Sequence, residues 1–531
     1  VKTILTRRKF IESSAVLGAS LGLFGFDGLV KELHSNNISY LEGAWDFLLG
    51  GPRISNVVKD KKRGCRTTIS LFPRSENWEV PYDVILRWGE TPSLSEKNSK
   101  STSLKGATGK SYITIDDMDK DGIYFYKLFL TPESGKTKRL GPYRFKTPKS
   151  KGKEYKFVVI GDQHLYDDDV SSFPDSYYFV NDIYKSIKEG HSVNRYKNLR
   201  AFYVAYAIVL AQEEDPDFII FLGDESGTGS VKYRYKRMGL KVGNYKLNTN
   251  ILTERWMGAN QEYFHSIPTF FVYGNHDLTD WLSPDLMDYA IDNMQKYFPQ
   301  FIDRKVNGAP AGFTYPQKAS HNEKWGAFRW GSVLYVFLYS QGCINGEEPE
   351  KPEDRKIGDR QYQYVERKVR NSKAPIKLLI SHNTFTGGPY KSNCLEKGGA
   401  YGRGGKNYCD VGDEKLIYKL MKKYGPGIHR IYGHDHALAI GDAGNGIKYI
   451  CGGTPSYQGQ WLGRSGWRKM YKGDYWNGHQ GILVGHVKSD SVIFEYKSTD
   501  PLGYTIYKSS KGDIPAVPFG ETVKKFKIYP S

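Results

Sequence analysis

Five short apolar runs in this chain each stop at a glycine or serine and deliver side chains able to bind metal ions or move protons. They are Phe157-Val158-Val159-Ile160 before Gly161-Asp162-Gln163-His164, and Phe218 to Leu222 before Gly223-Asp224-Glu225. Next come Phe270-Phe271-Val272-Tyr273 before Gly274-Asn275-His276-Asp277, Leu378-Leu379-Ile380 before Ser381-His382, and Ile428 to Tyr432 before Gly433-His434-Asp435-His436. Gathered together, these ends offer the carboxylates of Asp162 and Asp224, the imidazoles of His164, His382, His434 and His436, and the amide of Asn275. A mixed oxygen and nitrogen set without thiolates suits Fe, Mn, Zn, Co or Ni rather than Ca or an iron-sulfur cluster. Seven side chains exceed the needs of one ion. Two divalent or trivalent ions sharing a carboxylate would use them all, and such a pair clamps both the attacking and the leaving oxygen of a phosphoryl displacement.

The elements that must position these residues follow from the pattern around them. From Tyr155 to about Asp435, apolar runs alternate with helical patterns such as residues 201–214, which predicts an α/β domain. In such sheets the ligand crevice lies beyond the carboxyl ends of the strands, where all five polar clusters fall. After Asp435 the texture becomes β again: Gly446 to Gly453, Ile482 to Val487 and Ser491 to Tyr496 read as strands of a second sheet packed on the first. Ahead of the α/β region, residues 38–148 carry short β-rich runs with turn residues between them, among them Val84 to Trp88, Tyr112 to Ile115 and Gly122 to Leu128. Strands at that spacing predict a small β-sandwich.

The N-terminus reads Thr6-Arg7-Arg8-Lys9-Phe10 before an apolar, small-residue run from Ala15 to Phe26. Basic residues ahead of about a dozen apolar ones form a secretory signal pattern, too short for a stable membrane span. The adjacent arginines resemble a twin-arginine signal, so residues 1–30 are expected to engage the export machinery. The expected location is periplasmic or extracellular, with retention at the membrane if the signal stays uncleaved. Against 58 Asp and Glu the chain carries 76 Lys and Arg, a formal charge of +18 that favours anionic partners without choosing among them. Its 39% hydrophobic content is that expected of a folded globular chain, so disorder is not the default expectation. The five cysteines show no CxxC spacing, which supports neither a zinc ribbon nor a dithiol redox motif; Cys394 and Cys409 flank one glycine-rich loop and could form a disulfide in an oxidising compartment.

Taken in order, the five strand-end motifs resemble those of the calcineurin-like metallophosphoesterases, over roughly Tyr155 to Tyr496. The resemblance implies a four-layer β-sandwich flanked by helices, spanning residues 155–498, with 499–531 as a C-terminal extension. It implies that Asp162, His164 and His436 bind a first ion, that Asn275, His382 and His434 bind a second, and that Asp224 bridges them. A water or hydroxide held between the ions would attack phosphorus. His276 would contact substrate together with Asn275 and protonate the leaving group, and Asp277 would orient His276. Trp88-Gly89 and Gly141 to Thr147 look like the fibronectin-type module that precedes the catalytic domain of some secreted phosphatases, including purple acid phosphatases. Those enzymes carry a tyrosine ligand three residues after the Asp224 position; here that residue is Gly227, so a tyrosinate-to-iron colour is not expected.

Three basic and aromatic stretches, Val231 to Lys241, Gly387 to Gly412 with Arg403, and Gly459 to Tyr475, are candidates for shaping specificity, the second because it leaves directly from His382. Arg403 is the substrate-binding candidate within it. The expected function is hydrolysis of phosphate monoesters by an exported enzyme. The alternatives are a phosphodiesterase or nuclease acting on nucleotides or nucleic acid, and a binding protein without turnover, against which the intact Asn275-His276-Asp277 set argues.

Overall fold

Residues in the strands of the α/β region are buried on both faces, which is why their sequences run apolar without alternating. In the computed structural model of the chain, the described residues are 53–60, 64–71, 81–107, 111–133, 136–165, 176–197, 199–225, 245–281, 284–297, 324–341, 357–384, 413–456, 475–502, 506–509 and 512–530. The N-terminal segment, Arg403, Gly227, Cys394, Cys409 and nearly all of the three basic and aromatic stretches lie outside them.

The first unit is all β. Its strands are β1 (Arg53–Asp60), β2 (Gly64–Leu71), β3 (Tyr82–Gly89), β4 (Lys100–Ala107), β5 (Ser111–Met118), β6 (Ile123–Pro132) and β7 (Lys138–Lys146). They form two antiparallel sheets, β1-β2-β5 and β4-β3-β6-β7, a two-sheet arrangement of the kind the strand spacing predicts. The unit is seated on the next one: Tyr126 Oη donates to the carbonyl of His265 at 2.7 Å, Tyr143 packs on the His265 ring at 4.6 Å, and Arg144 pairs with Asp215 at 2.8 Å.

The second unit has two facing sheets. One contains β8 (Tyr155–Ile160), β9 (Phe218–Phe221) and β10 (Thr269–Phe271), all parallel, and the other β11 (Gly326–Trp330), β12 (Val333–Phe337), β13 (Ile376–Ile380) and β14 (Ile428–Tyr432), of which the last three are parallel. Then follow β15 (Leu438–Asp442), β16 (Lys448–Gly452), β17 (Tyr475–Asn477), β18 (Gly481–Val487), β19 (Val492–Ser498), β20 (Ile506–Ser509), β21 (Gly512–Pro515) and β22 (Thr522–Ile528). Among the described residues the sheet orders are β10-β9-β8-β18-β19-β22 and β11-β12-β13-β14-β16-β15-β17-β20-β21.

These orders correct the reading that the strands after Asp435 make one second sheet. β15, β16 and β17 extend the sheet of β14, whereas the β18-β19 hairpin returns to pair antiparallel with β8. The physical reason is the unsatisfied edge of β8, whose other side is already taken by β9. Residues 506–528, part of the stretch set apart as an extension, also add strands to both sheets, β22 pairing with β19 along six registered residue pairs.

Between the sheets the core is largely aromatic. Phe218 stacks on Phe157 at 5.5 Å and meets Trp330 and Tyr335 of the opposite sheet at 4.8 and 5.1 Å, while Phe270 stacks on Phe328 at 4.2 Å. Residues of alternate parity, such as Val158, Ile160, Ile219 and Phe221, face helices instead. On that side lie α1 (Ser176–Lys188), α2 (Arg200–Glu214), α3 (Tyr245–Ala259), α4 (Gln261–Phe264) and α5 (Pro284–Tyr297), and on the far side α6 (Asp359–Asn371) and α7 (Glu414–Tyr424). Helix, sheet, sheet, helix gives the four layers expected from the sequence.

His429, on β14, shows how the sandwich treats a histidine without chemistry. Its Nδ1 accepts from the Lys448 N–H at 3.2 Å, its Nε2–H faces the Tyr529 carbonyl at 3.3 Å, and burial pushes its pKa down to about 4. Because the folded pKa is depressed, the stability this ring contributes is fully present above about pH 6.5 and lost as pH falls through about 4. His429→Gln should therefore flatten the fall of Tm between those pH values, by up to ~3 kcal/mol of pH-dependent stability. Parallel Tm profiles for variant and wild type would contradict this.

Candidate metal centre

The five strand ends converge. Asp162 and His164 follow β8, Asp224 follows β9, Asn275 and His276 follow β10, His382 follows β13, and His434 and His436 follow β14. Each stands beyond the carboxyl end of a parallel strand, where the chain must turn out of the sheet. Asp162, His164, Asp224, His434 and His436 adopt the left-handed backbone, with φ between 46° and 74°. Non-glycine residues in this region cost roughly 1–3 kcal/mol each and cluster at functional sites.

Two donor groups result, and they share one residue. Asp162, His164, Asp224 and His436 each present a donor atom within 4.8 Å of the others, as do Asp224, His382 and His434. In the first group His164 Nε2 faces His436 Nε2 at 2.9 Å, and Asp162 Oδ1 lies 3.7 and 3.5 Å from them. In the second, His382 Nε2 lies 3.3 Å from His434 Nδ1 and 3.2 Å from Asn275 Oδ1. Asp224 Oδ1 is held by the His276 N–H at 2.8 Å. That leaves Oδ2, fully buried, between the groups at 3.1 Å from His382 Nε2 and 3.7 Å from His164 Nε2. Nitrogen lone pairs and carboxylate oxygens turned toward one another in a buried pocket fit two cations, which would hold apart what otherwise has only neighbouring donors to face.

Electrostatics separates the groups. Burial drives the His164 pKa well below the ordinary value and that of His436 down to about 3, so both rings are neutral and have a lone pair to give. Burial also opposes charge on His382, but Asp224 and Asp162 outweigh it and raise that pKa. His382 Nδ1 donates to the Leu222 carbonyl at 2.7 Å, which fixes the ring with Nε2 toward the site.

His276 occupies the rim. Its ring is partly exposed, 5.0 Å from the His164 ring, with Nε2 3.9 Å from Asp224 Oδ2. The buried carboxylate of Asp277 accepts the N–H groups of Asp224, Glu225 and Gly274 at 2.8 to 2.9 Å, which ties the β9 and β10 turns together.

Several supporting residues had no role in the sequence reading. Gln163 pairs its side-chain amide with that of Asn260 and accepts from Trp256 Nε1, which pins the Asp162–His164 turn to α3. The buried Arg200 donates to the His164 carbonyl at 3.1 Å. Thr454 and Ser456 hydroxyls donate to the Asp162 carbonyl at 2.8 and 3.2 Å. Thr454 was discoverable, because Gly452-Gly453-Thr454 repeats the strand, glycine, polar pattern; Arg200 carries no comparable signal. Of the histidines set aside as non-catalytic, His429 and His265 are used in packing, His486 faces Glu495 at 3.5 Å, and His321 lies outside the described residues.

The model of the calcineurin-like phosphoesterases matches residues 155–438, more than half of the chain. The chain belongs to that family. This phosphoesterase is therefore a hydrolase of phosphoric ester bonds, in a family that works with a dinuclear metal centre. In fold it is similar to the solved structure of PhoD, with a TM-score of 0.57 at 11% identity over 91% of this chain and 94% of that one. It is also similar to the purple acid phosphatase PPD1 from yellow lupin (Lupinus luteus) seeds, with a TM-score of 0.50 at 12% identity over 90% of this chain and 74% of that one. No curated protein matches the phosphoesterase in sequence.

One glycine limits the whole arrangement. A Cβ at Gly274 would lie 2.2 Å from both the backbone nitrogen and Oδ1 of Asp224. Gly274→Ala should cost roughly 2–3 kcal/mol through overpacking against backbone and should displace Asp224, emptying both donor groups together. Thermal unfolding with metal analysis tests this; wild-type Tm and wild-type metal content would contradict it.

Proposed function

We propose that this phosphoesterase hydrolyses phosphate monoesters at a dinuclear centre in which Asp162, His164 and His436 hold one ion, Asn275, His382 and His434 hold the other, and Asp224 bridges them. The observation that carries the reading is the shared carboxylate: Asp224 Oδ2 lies within 3.1 to 3.7 Å of an imidazole nitrogen from each donor group. The ions, Fe, Mn, Zn, Co or Ni by the chemistry of the donors, supply positive charge at the phosphoryl group and lower the pKa of the attacking water.

The chain's own residues do the rest. Burial of the two donor groups excludes bulk solvent from one side of the phosphoryl group and strengthens every charge contact made there. His276 stands at the open rim with its backbone N–H anchored on Asp224, so its ring projects beside the centre and not into it. From there it donates a proton to the departing alkoxide as the ester bond breaks. Asp277 keeps that ring in register indirectly, by fixing the turn on which it sits. Asn275, adjacent to it, serves both an ion and the phosphoryl oxygens, and Arg403 is assigned to substrate recognition from sequence. Residues 1–30 address the enzyme for export.

A second reading, cleavage of phosphodiesters in nucleotides or nucleic acid, is favoured by the formal charge of +18. Comparison of p-nitrophenyl phosphate with bis-(p-nitrophenyl) phosphate separates the two. Monoester turnover well above diester turnover supports the first reading, and the reverse order, with DNA hydrolysis that falls steeply with salt, establishes the second.

His276→Asn should leave metal content at the wild-type value and lower kcat by about 10²–10⁴-fold. Unchanged turnover, or loss of metal together with turnover, would remove His276 from the role of proton donor.

A further inference from the structure

Arg430 sits in β14, four residues before His434, and is fully buried together with Glu414 of α7. A guanidinium without solvent must find protein acceptors for its N–H groups. Arg430 Nε donates to Glu414 Oε1 at 3.1 Å, and Nη1 donates to the Leu379 carbonyl at 3.2 Å. Its Nη2 donates to Ser381 Oγ at 2.7 Å and to the Asn383 carbonyl at 3.4 Å. Glu414 Oε1 is held in turn by Tyr449 Oη at 3.1 Å.

The acceptors have a pattern. Leu379 lies in the neighbouring strand β13, and Ser381 and Asn383, in the turn that follows it, flank His382 on either side. Ser381 Oγ also donates to the Asn383 carbonyl, which closes the turn around His382. One planar side chain rooted in β14 therefore grips the backbone before and after His382, while β14 itself runs on into His434.

We propose that Arg430, held by Glu414, is the positioning residue for the second ion: it sets the spacing between His382 and His434 and through it the affinity of that site alone. This rests on the dinuclear reading given above. A buried ion pair is a poor source of stability, since hydrophobic residues of similar volume often replace it without loss. What such residues cannot reproduce is the fork that spans Ser381 and Asn383. Outer partners of this kind alter metal affinity by about 10–100-fold.

The experiment is a Mn(II) titration of metal-free protein by calorimetry, with Tm recorded in parallel, on wild type, Arg430→Lys and the double variant Arg430→Met with Glu414→Met. The double variant should keep its Tm, bind the first ion with unchanged Kd and bind the second 10–100-fold more weakly. Arg430→Lys, whose ammonium can pair with Glu414 but not span the turn, should weaken the second ion about tenfold and leave the first unchanged. It decides the matter alone if the double variant fails to fold. Wild-type affinity for the second ion in the variants, or equal weakening of both ions, would overturn the positioning role. Wild type binding fewer than two ions would overturn the dinuclear reading itself and this inference with it.

Discussion

The site depends on how closely two turns can pass. The chain leaving β9 and the chain leaving β10 cross where Gly223 and Gly274 meet, and a Cβ on Gly223 would lie 2.5 Å from the backbone nitrogen of Gly274. Gly223 has φ +93°, a conformation side chains rarely adopt. The contact lets the Asp224 carboxylate sit against the Gly274 backbone, with one oxygen fixed by the His276 N–H and the other left to the cluster of imidazoles. Asp277 locks the crossing with three hydrogen bonds to turn amides. Without this crossing the two donor groups would have no residue in common.

Everything outside the crossing works to keep its partners in place. The aromatic layer around Phe157, Phe218, Phe328 and Tyr335 holds the two sheets face to face, so strands from different sheets end at one crevice. Five left-handed candidate ligand residues store strain that this packing supports. Burial then does chemical work: it lowers the pKa of His164 and His436, while Asp224 and Asp162 outweigh it at His382 and raise that pKa. The supporting residues divide in the same way, with Gln163, Thr454 and Ser456 on the Asp162–His164 turn and Arg430 on the His382 turn.

Most of the site was legible in the sequence because it follows a local rule. Each candidate ligand stands within four residues of an apolar run and within three of a glycine or serine, and that pattern survives folding. The alternation of apolar runs with helical patterns marked the α/β domain, and the turn spacing marked the strands before it. What was not legible depends on pairing across long separations. Residues 506–528 are short and lysine-rich, as suits edge strands, and only the free edges of β17 and β19 recruit them to the sheets. The β18-β19 hairpin joins the sheet of β8, more than 300 residues earlier, for the same kind of reason. The hydrogen bonds that join Asp277 to Gly274 and to a turn about fifty residues away also carry no mark in the sequence. Arg430 has an unremarkable sequence context; its meaning lies in the carbonyls it meets on β13 and in the turn after it.

The central claim is that Asp224 joins two ions into one centre. Electron paramagnetic resonance of the wild-type protein loaded with two equivalents of Mn(II) tests it most directly, because a shared carboxylate oxygen couples the two spins. The structure predicts an exchange-coupled multiline spectrum that is replaced by isolated-ion signals in Asp224→Asn. A wild-type spectrum made only of isolated six-line Mn(II) signals would contradict the shared centre.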